Sequence, residues 1–520
     1  MFEGFQTIRS ASAGRLFGPK IADVVRHAIP AAGAVVFCLS VWHSFHRNLD
    51  FAWTSIRLAP AFALVQGLQL YSEPDTPPWV IVGYGPLYPI AYLPSTLASS
   101  PGPAVAIATL LAHGYILIPV GLLCATCGRR LSREDLPLRW HWCFLLLFFA
   151  LLAGAVPSIN YITTHVHVDA PALGLFLLAT WCVLRAEADD KLAARWVVFA
   201  GVCAGLSAAC KITLAAGAIA FAIWVLLSLG ARRGVALASA AVLTFCTVYT
   251  FAALRDGLGP IILNLTLMGK LPWHEGGTLA IAGPSHDVVE KVRIFLTIIS
   301  DYARLYGAVA VVLLLLLPWM GERFASAARM IKFLLFLALF MAPVSAASVG
   351  KSGGDVNSRA LVTLPLTLAA LFAFAVLVQQ SHGIVHATKW AAMLGATFVV
   401  AVASGTGLLQ LSLNRTSTLM EASTTVSNGR GRWYFPFDPL AHLLAEGKFR
   451  PSIDVIHTYA AAGFPVEKKA FESALPEGLQ YVAVPPLFAS WGVHEMRRLM
   501  PEFNRTVRDS DLFHHQVISR

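Results

Sequence analysis

The chain predicts an α-helical polytopic membrane protein of about eleven spans, followed by a small C-terminal α/β domain. Three observations predict this class. First, 57% of the 520 residues are hydrophobic, only 13% are charged, and the mean hydropathy is +0.65. A soluble domain carries roughly 25% charged residues, so a soluble chain this apolar could not cover its surface. Second, apolar runs of about 20 residues, the length that crosses a hydrocarbon core, recur along residues 28–411. Third, Lys and Arg concentrate in alternate connections between those runs, the bias that marks cytoplasmic loops.

The runs lie near 28–46, 103–125, 141–160, 170–186, 196–210, 212–229, 234–254, 305–320, 330–348, 361–379 and 390–411. Segment 1–27 carries Arg9, Arg15, Lys20 and Arg26 and reads as cytoplasmic, ahead of an uncleaved first span. The cytoplasmic connections then hold Arg129, Arg130, Arg133 and Arg139; Arg185, Lys191 and Arg195; Arg232 and Arg233; Arg323, Arg329 and Lys332; and Lys389. The short connection 160–169 on the opposite face has no Lys or Arg. Within the long outer loop 47–102, residues 84–100 are apolar but contain Pro86, Pro89 and Pro94. These would break a lipid-exposed helix, so the segment reads as juxtamembrane helices. Residues 412–520 are more polar, with Trp433-Tyr434-Phe435-Pro436 near their start and a strand-like 479–484. They read as an extracytoplasmic domain.

The net charge of +10 follows from the cytoplasmic Lys/Arg bias, so nucleic acid is not an expected partner. The eight cysteines are scattered, mostly inside apolar runs. Cys124 and Cys127 form a C-x-x-C with no second pair and no βαβ context, which argues against a zinc or thioredoxin-like site.

Polar groups at span ends are costly unless they have a role, and several collect on the expected outer face. Asp50 follows the first span; it could cap a juxtamembrane helix or act as a general base. Glu73 and Asp75 are competing carboxylates in the same loop, and Tyr84 opens Tyr84-Gly85-Pro86-Leu87-Tyr88-Pro89. His165, His167 and Asp169 point one way in an extended backbone, a plausible ligand set for Mg, Mn or Zn. The alternative is a capping Asp beside two interfacial histidines. Lys211, between two runs, must snorkel or pair, and could meet an anionic headgroup or phosphate. Gly350-Lys351-Ser352-Gly353-Gly354-Asp355-Val356-Asn357-Ser358-Arg359 is either a plain turn or an anion site built from backbone N–H groups and the cations Lys351 and Arg359. The long outer loop 255–304 adds Lys270, Trp273, His274, Glu275, His286 and Arg293 as possible lid or acceptor-site residues. Carboxylates, possible metal ligands and cations on one face suit transfer from a phosphate-linked donor held in lipid.

The ordered set of motifs resembles the GT-C superfamily of polytopic glycosyltransferases. The resemblance is to the bacterial branch related to protein O-mannosyltransferases and the lipid A aminoarabinose transferase. It covers residues 28–411 and rests on a carboxylate after the first span, Gly67-Leu68-Gln69-Leu70-Tyr71, Tyr84–Pro89, His167-Val168-Asp169-Ala170-Pro171, and Lys351-x-Gly-Gly-Asp-x-Asn357. It implies a sugar transferase of the bacterial inner (plasma) membrane that takes its sugar from a polyprenyl-phosphate carrier on the extracytoplasmic face. The acceptor would be a glycan, a lipid or a protein. The resemblance implies that Asp50 is the base and that Asp169 binds metal or donor. Lys211 and Lys351 would be cations near the lipid phosphate. Asn357 and Arg359 of the Gly350–Arg359 segment are further candidate substrate-binding residues. Many relatives have an acidic pair after the first span. Here Phe51 follows Asp50, which keeps Glu73 and Asp75 in play. Two other classes compete: a transporter or flippase of lipid-linked sugars, and a non-catalytic envelope assembly protein. No internal repeat of the kind transporters carry is visible.

Overall fold

The architecture is taken from a computed structural model. It describes residues 19–131, 156–274, 287–320, 322–351, 353–354, 356–380, 417–485, 496–507, 512 and 515–519. The expected span at 390–411, residues 141–155 of the span at 141–160, and Arg133, Arg139, Lys389, Glu275, His286, Ser352 and Asp355 lie outside the described residues.

The membrane part runs α1 (Pro19–Asp50), α2 (Ala52–Val65), α3 (Leu87–Ala91), α4 (Pro101–Leu131), α5 (Pro157–Thr164), α6 (Asp169–Ala188), α7 (Ala193–Cys210), α8 (Ala215–Leu229), α9 (Ala231–Asp256) and α10 (Leu258–Lys270). It continues with α11 (Val288–Tyr302), a π turn at Ala303–Gly307, α12 (Ala308–Leu316), α13 (Ala325–Gly350) and α14 (Ala360–Gln380). Among the described residues eight helices are long and apolar enough to cross a membrane. They match eight of the expected runs, and α1 encloses a ninth, 28–46. One expectation is corrected: 255–304 is not an open loop. It contains α10, and α11 joins the following run into one span, Val288–Met320.

The helices divide into a centre and a rim. The apolar window of Asp169–Ala188 is 78% buried and that of Val288–Met320 only 11%, so α6 is central and α11–α12 peripheral. The rim exposes Leu227, Leu243, Phe251, Leu254, Leu315 and Trp319, side chains stable only against lipid. α6, α7 and α9 pack in sequence. Gly201 and Gly205 let α7 approach α9 closely: an added Cβ at either would lie 2.4 Å from the Leu237 or Ala241 carbonyl oxygen. Residues 84–100 form α3 and a 3₁₀ turn at Leu93–Leu97, as the proline pattern predicts.

The C-terminal region contains α15 (Thr418–Asn428), β1 (Trp433–Tyr434), α16 (Pro439–Glu446), α17 (Ile453–Ala461), α18 (Lys468–Ser473), β2 (Tyr481–Val484), β3 (Arg505–Val507) and β4 (Gln516–Ser519). The sheet order is β1-β2-β4-β3, with β1 parallel to β2 and the remaining pairs antiparallel. β2 falls on the expected strand. The region docks on the membrane part through α16, which packs on α2, and α15, which packs on α1. Leu440 N–H donates to Ser55 Oγ at 3.1 Å, and Tyr459 O–H donates to the Ser72 carbonyl at 2.7 Å.

Candidate active site

Asp169 is the hub. It opens α6 and is almost fully buried, at a helix N-terminus where the peptide dipoles favour a carboxylate. Its partner Lys211 lies where α7 stops. The backbone there turns extended (φ −148°, ψ 111°) before a short 3₁₀ turn at Ile212–Leu214, which brings the lysine back toward α6. Lys211 Nζ donates to Asp169 Oδ1 at 2.6 Å. Asn357, in the 3₁₀ turn before α14, donates from Nδ2 to Asp169 Oδ2 at 2.5 Å. His167 Nδ1 stands 2.7 Å from the same oxygen, a separation that calls for a hydrogen on Nδ1. Burial holds the His167 imidazole below its ordinary pKa in spite of that carboxylate.

Lys351 ends α13 in an extended conformation and is held by a bridge to Trp273. Desolvation, with the Lys211 charge as the second cause, lowers its pKa to about 7. Its ammonium makes no hydrogen bond or ion pair among the described residues. Two cations therefore share the neighbourhood of one buried carboxylate, and Asp169 already engages Lys211.

Beside this cluster an open cavity of about 100 Å³ is lined by Tyr84, Tyr161, His167 and Asn357 on one side. Trp53 and Arg57 of α2 and Asp454, His457 and Thr458 of α17 line the other. The Tyr84 ring links the two sides: it lies 6.1 Å from the His167 ring and 4.6 Å below the Arg57 guanidinium. Arg57 Nη1 donates to Asp454 Oδ2 at 2.6 Å.

The expected site residues thus separate. Asp169, Lys211, Asn357 and His167 come together, with Lys351 close by, and Tyr84 joins them at the cavity wall. Asp50 is exposed at the end of α1 and is not among the lining residues. It does not cap α2 either, since Phe51 holds that position. Glu73 and Asp75 are exposed. Trp79 Nε1 donates to the Glu73 carbonyl, and the Asp75 carboxylate accepts from Thr76. Arg359 lies near Tyr306 and does not line the cavity.

The His165, His167 and Asp169 set does not fit a divalent metal as arranged. An extended backbone would align all three, but Val168 is already helical (φ −59°, ψ −30°), which breaks the alternation. His165 instead stacks on Tyr161 at 4.4 Å, with Nδ1 3.1 Å from Thr164 Oγ1. A cation entering at Asp169 would have to displace the Lys211 ammonium. Among the described residues no three His, Cys, Asp or Glu side chains gather in a metal-binding group.

Arg57, Asp454, Tyr161 and His457 were not singled out from sequence. Arg57 carried a usable signal: it is the lone cation in the apolar Ala52–Val65 run. Asp454 carried none, because a carboxylate in the first turn of a helix is commonplace and its partner is 397 residues away.

The fold has a solved counterpart. A crystal structure of ArnT from Cupriavidus metallidurans bound to undecaprenyl phosphate aligns over 95% of this chain and 97% of that one, with TM-score 0.56 and 10% identity. The chain shares the fold of that structure. At this identity the likeness concerns the fold alone. Two weaker matches, each at 12% identity, are ArnT from the same organism in the apo state (TM-score 0.40, 96% of this chain, 98% of that one) and the archaeal oligosaccharyltransferase AglB from Archaeoglobus fulgidus with an inhibitory peptide and a dolichol-phosphate (0.43, 91% and 71%). No family model matches the sequence, and no curated protein matches it.

Proposed function

We propose that this protein is a membrane glycosyltransferase of the bacterial inner membrane. It would move a sugar from a polyprenyl-phosphate donor to an acceptor on the extracytoplasmic face. The observation that carries this reading is the buried Asp169–Lys211–Asn357 cluster, with the Lys351 ammonium nearby, beside an open cavity in a GT-C-type fold. The fold's ArnT counterpart was crystallised with undecaprenyl phosphate, a carrier whose phosphate needs cations.

In the proposed reaction an acceptor hydroxyl attacks the anomeric carbon. A C–O bond to the acceptor forms as the bond from that carbon to the phosphate oxygen breaks, and polyprenyl phosphate leaves with the bonding pair. Asp50, the carboxylate the sequence offers as base, is the candidate for receiving the hydroxyl proton and would have to reach the cavity from its exposed position at the end of α1. Lys211, fixed by Asp169, and Lys351 would meet the charge gathering on the departing phosphate, where preplaced cations act most strongly. Asn357 would hold the Asp169 carboxylate in register for Lys211.

The test is release of undecaprenyl phosphate by the purified chain. It would receive synthetic undecaprenyl-phosphate monosaccharides and an envelope glycolipid extract as acceptor, with products read by mass spectrometry. Wild type should release carrier in step with product. Asp50→Asn should slow release by on the order of 10²-fold, and Lys211→Ala should do the same. Full-rate release by a folded Asp50→Asn protein removes Asp50 as base. No release from any donor by a folded wild type defeats the reading.

A further inference from the structure

The cavity has a second polar wall that the phosphate chemistry does not use. Arg57 is 7% exposed, and its Nε is buried with no hydrogen-bond partner among the described residues. Asp454 accepts Arg57 through Oδ2, whereas Oδ1 has no partner among the described residues and the side chain keeps 14% exposure at the cavity. A guanidinium and a carboxylate thus meet at a single lined surface. Two flat rings frame them: Trp53 at 5.2 Å and Tyr84 at 4.6 Å from the guanidinium, which fix its plane. A buried ion pair contributes little as a simple fastener between domains, since apolar residues of the same volume often do as well or better. The pair also joins the membrane part to the C-terminal region at the cavity, and not at the docking surface of α16.

We propose that Arg57 and Asp454 form the acceptor subsite, resting on the transferase reading above, and that it takes a hydroxyl-bearing sugar ring. One ring hydroxyl donates to the Asp454 carboxylate, and a neighbouring ring oxygen accepts from the Arg57 guanidinium. Trp53 supplies the apolar face against which such a ring lies. The division of labour follows from the geometry. The Lys211 end handles the donor phosphate, and α17, carried by the C-terminal region, selects the acceptor. Asp454 and Arg57 are specificity-determining residues, and the Tyr84 ring spaces the two ends.

The test uses the full chain in lipid nanodiscs. The probe is octyl β-D-glucoside, added below its micelle concentration. The control is octyl tetraethylene glycol ether, which has the same alkyl chain without a sugar. Hydrogen exchange is read on peptides covering Ile453–Ala461. At ten times its Kd the glucoside should slow exchange there by about tenfold, through ligand-linked stabilisation of the bound state. The ether should leave exchange unchanged. Asp454→Asn strands a buried guanidinium and could unfold the region. The double variant Arg57→Gln/Asp454→Asn removes both charges and keeps the test valid. It should keep the wild-type unfolding temperature, lose the glucoside protection, and raise the acceptor KM in the carrier-release assay far more than it lowers kcat. Equal protection by the ether, or glucoside protection that survives in the folded double variant, overturns the subsite. Glucoside protection that depends on the pair in a wild type that releases no carrier would uphold the subsite and defeat the transferase reading. Normal release with unchanged acceptor KM and unchanged protection would do the reverse.

Discussion

Lys351 is the residue whose charge responds most directly to solution conditions near neutrality. Its pKa of about 7 leaves it mostly cationic at pH 6 and mostly neutral at pH 8. Raising pH across that interval should therefore weaken binding of undecaprenyl phosphate by up to about tenfold, one factor of ten for each pH unit of lost charge at most. The phosphate's own second ionisation works in the opposite sense, so the informative comparison is with Lys351→Arg. Arginine stays charged throughout, and its binding profile should lack the fall between pH 6 and 8. Identical slopes for the two proteins, measured by titration in detergent, would remove Lys351 from the phosphate site. At this scale much was legible in the sequence. Lys211, Asp169 and Asn357 stand out as polar residues at span ends, and the structure brings them within hydrogen-bonding distance. The metal set was not legible, because one helical residue, Val168, decides where His165 points relative to Asp169.

Elements meet most tightly where Tyr84–Pro89 crosses the end of α7. Gly85 N–H donates to the Cys210 carbonyl at 3.0 Å, and an added Cβ at Gly85 would lie 2.0 Å from the Ala209 carbonyl oxygen. The clash is with backbone, so a rotamer change cannot relieve it. Gly85→Ala should push the Tyr84 segment off the turn that carries Lys211. Overpacking of this kind destabilises by about 1–3 kcal/mol, and the same shift should loosen carrier binding. Thermal unfolding together with undecaprenyl phosphate titration checks both; an unchanged melting temperature and affinity would show that the contact has no such role. The motif Tyr84-Gly85-Pro86 was visible in the chain. Its reason was not, because the atom that excludes a side chain belongs to a helix more than a hundred residues later. The mixed fate of 255–304 has a similar cause: α10 and α11 are amphipathic pieces that find apolar partners only in the folded protein.

The whole molecule depends on how the C-terminal region closes over the membrane part. Inside that region His515 is almost fully buried, with Nδ1 2.8 Å from Glu421 Oε2 and Nε2 3.5 Å from Asp438 Oδ2. The second distance suits an ion pair better than a hydrogen bond. Burial opposes charge on the imidazole, but the Asp438 and Glu421 carboxylates outweigh it and raise the pKa above its ordinary value. A raised histidine pKa adds stability that is fully present below the unfolded pKa of about 6.5. That stability is lost as pH rises through the higher folded value. The C-terminal region should therefore melt earlier at pH 8 than at pH 6, and His515→Gln should abolish the difference. Differential scanning fluorimetry at the two pH values reads this directly, and a pH dependence retained in the variant would assign it elsewhere. Because α15 packs on α1 and α16 on α2, the same measurement reports on the docking of the C-terminal region against the membrane part.

Some properties were set by composition and local pattern, with no tertiary information. The membrane class, nearly all the spans in the described residues, the juxtamembrane reading of 84–100 and the strand at 481–484 follow from hydropathy, proline and periodicity. These are short-range effects, and a neighbouring chain segment cannot easily reverse them. Only the tertiary structure decided which polar groups share a cavity. Asp169 needs Lys211 and Asn357 from two other helix ends, and Arg57 needs Asp454 from the far end of the chain. Such pairings depend on where the helices stop and how they pack, and a buried charge is tolerable only once its partner has arrived.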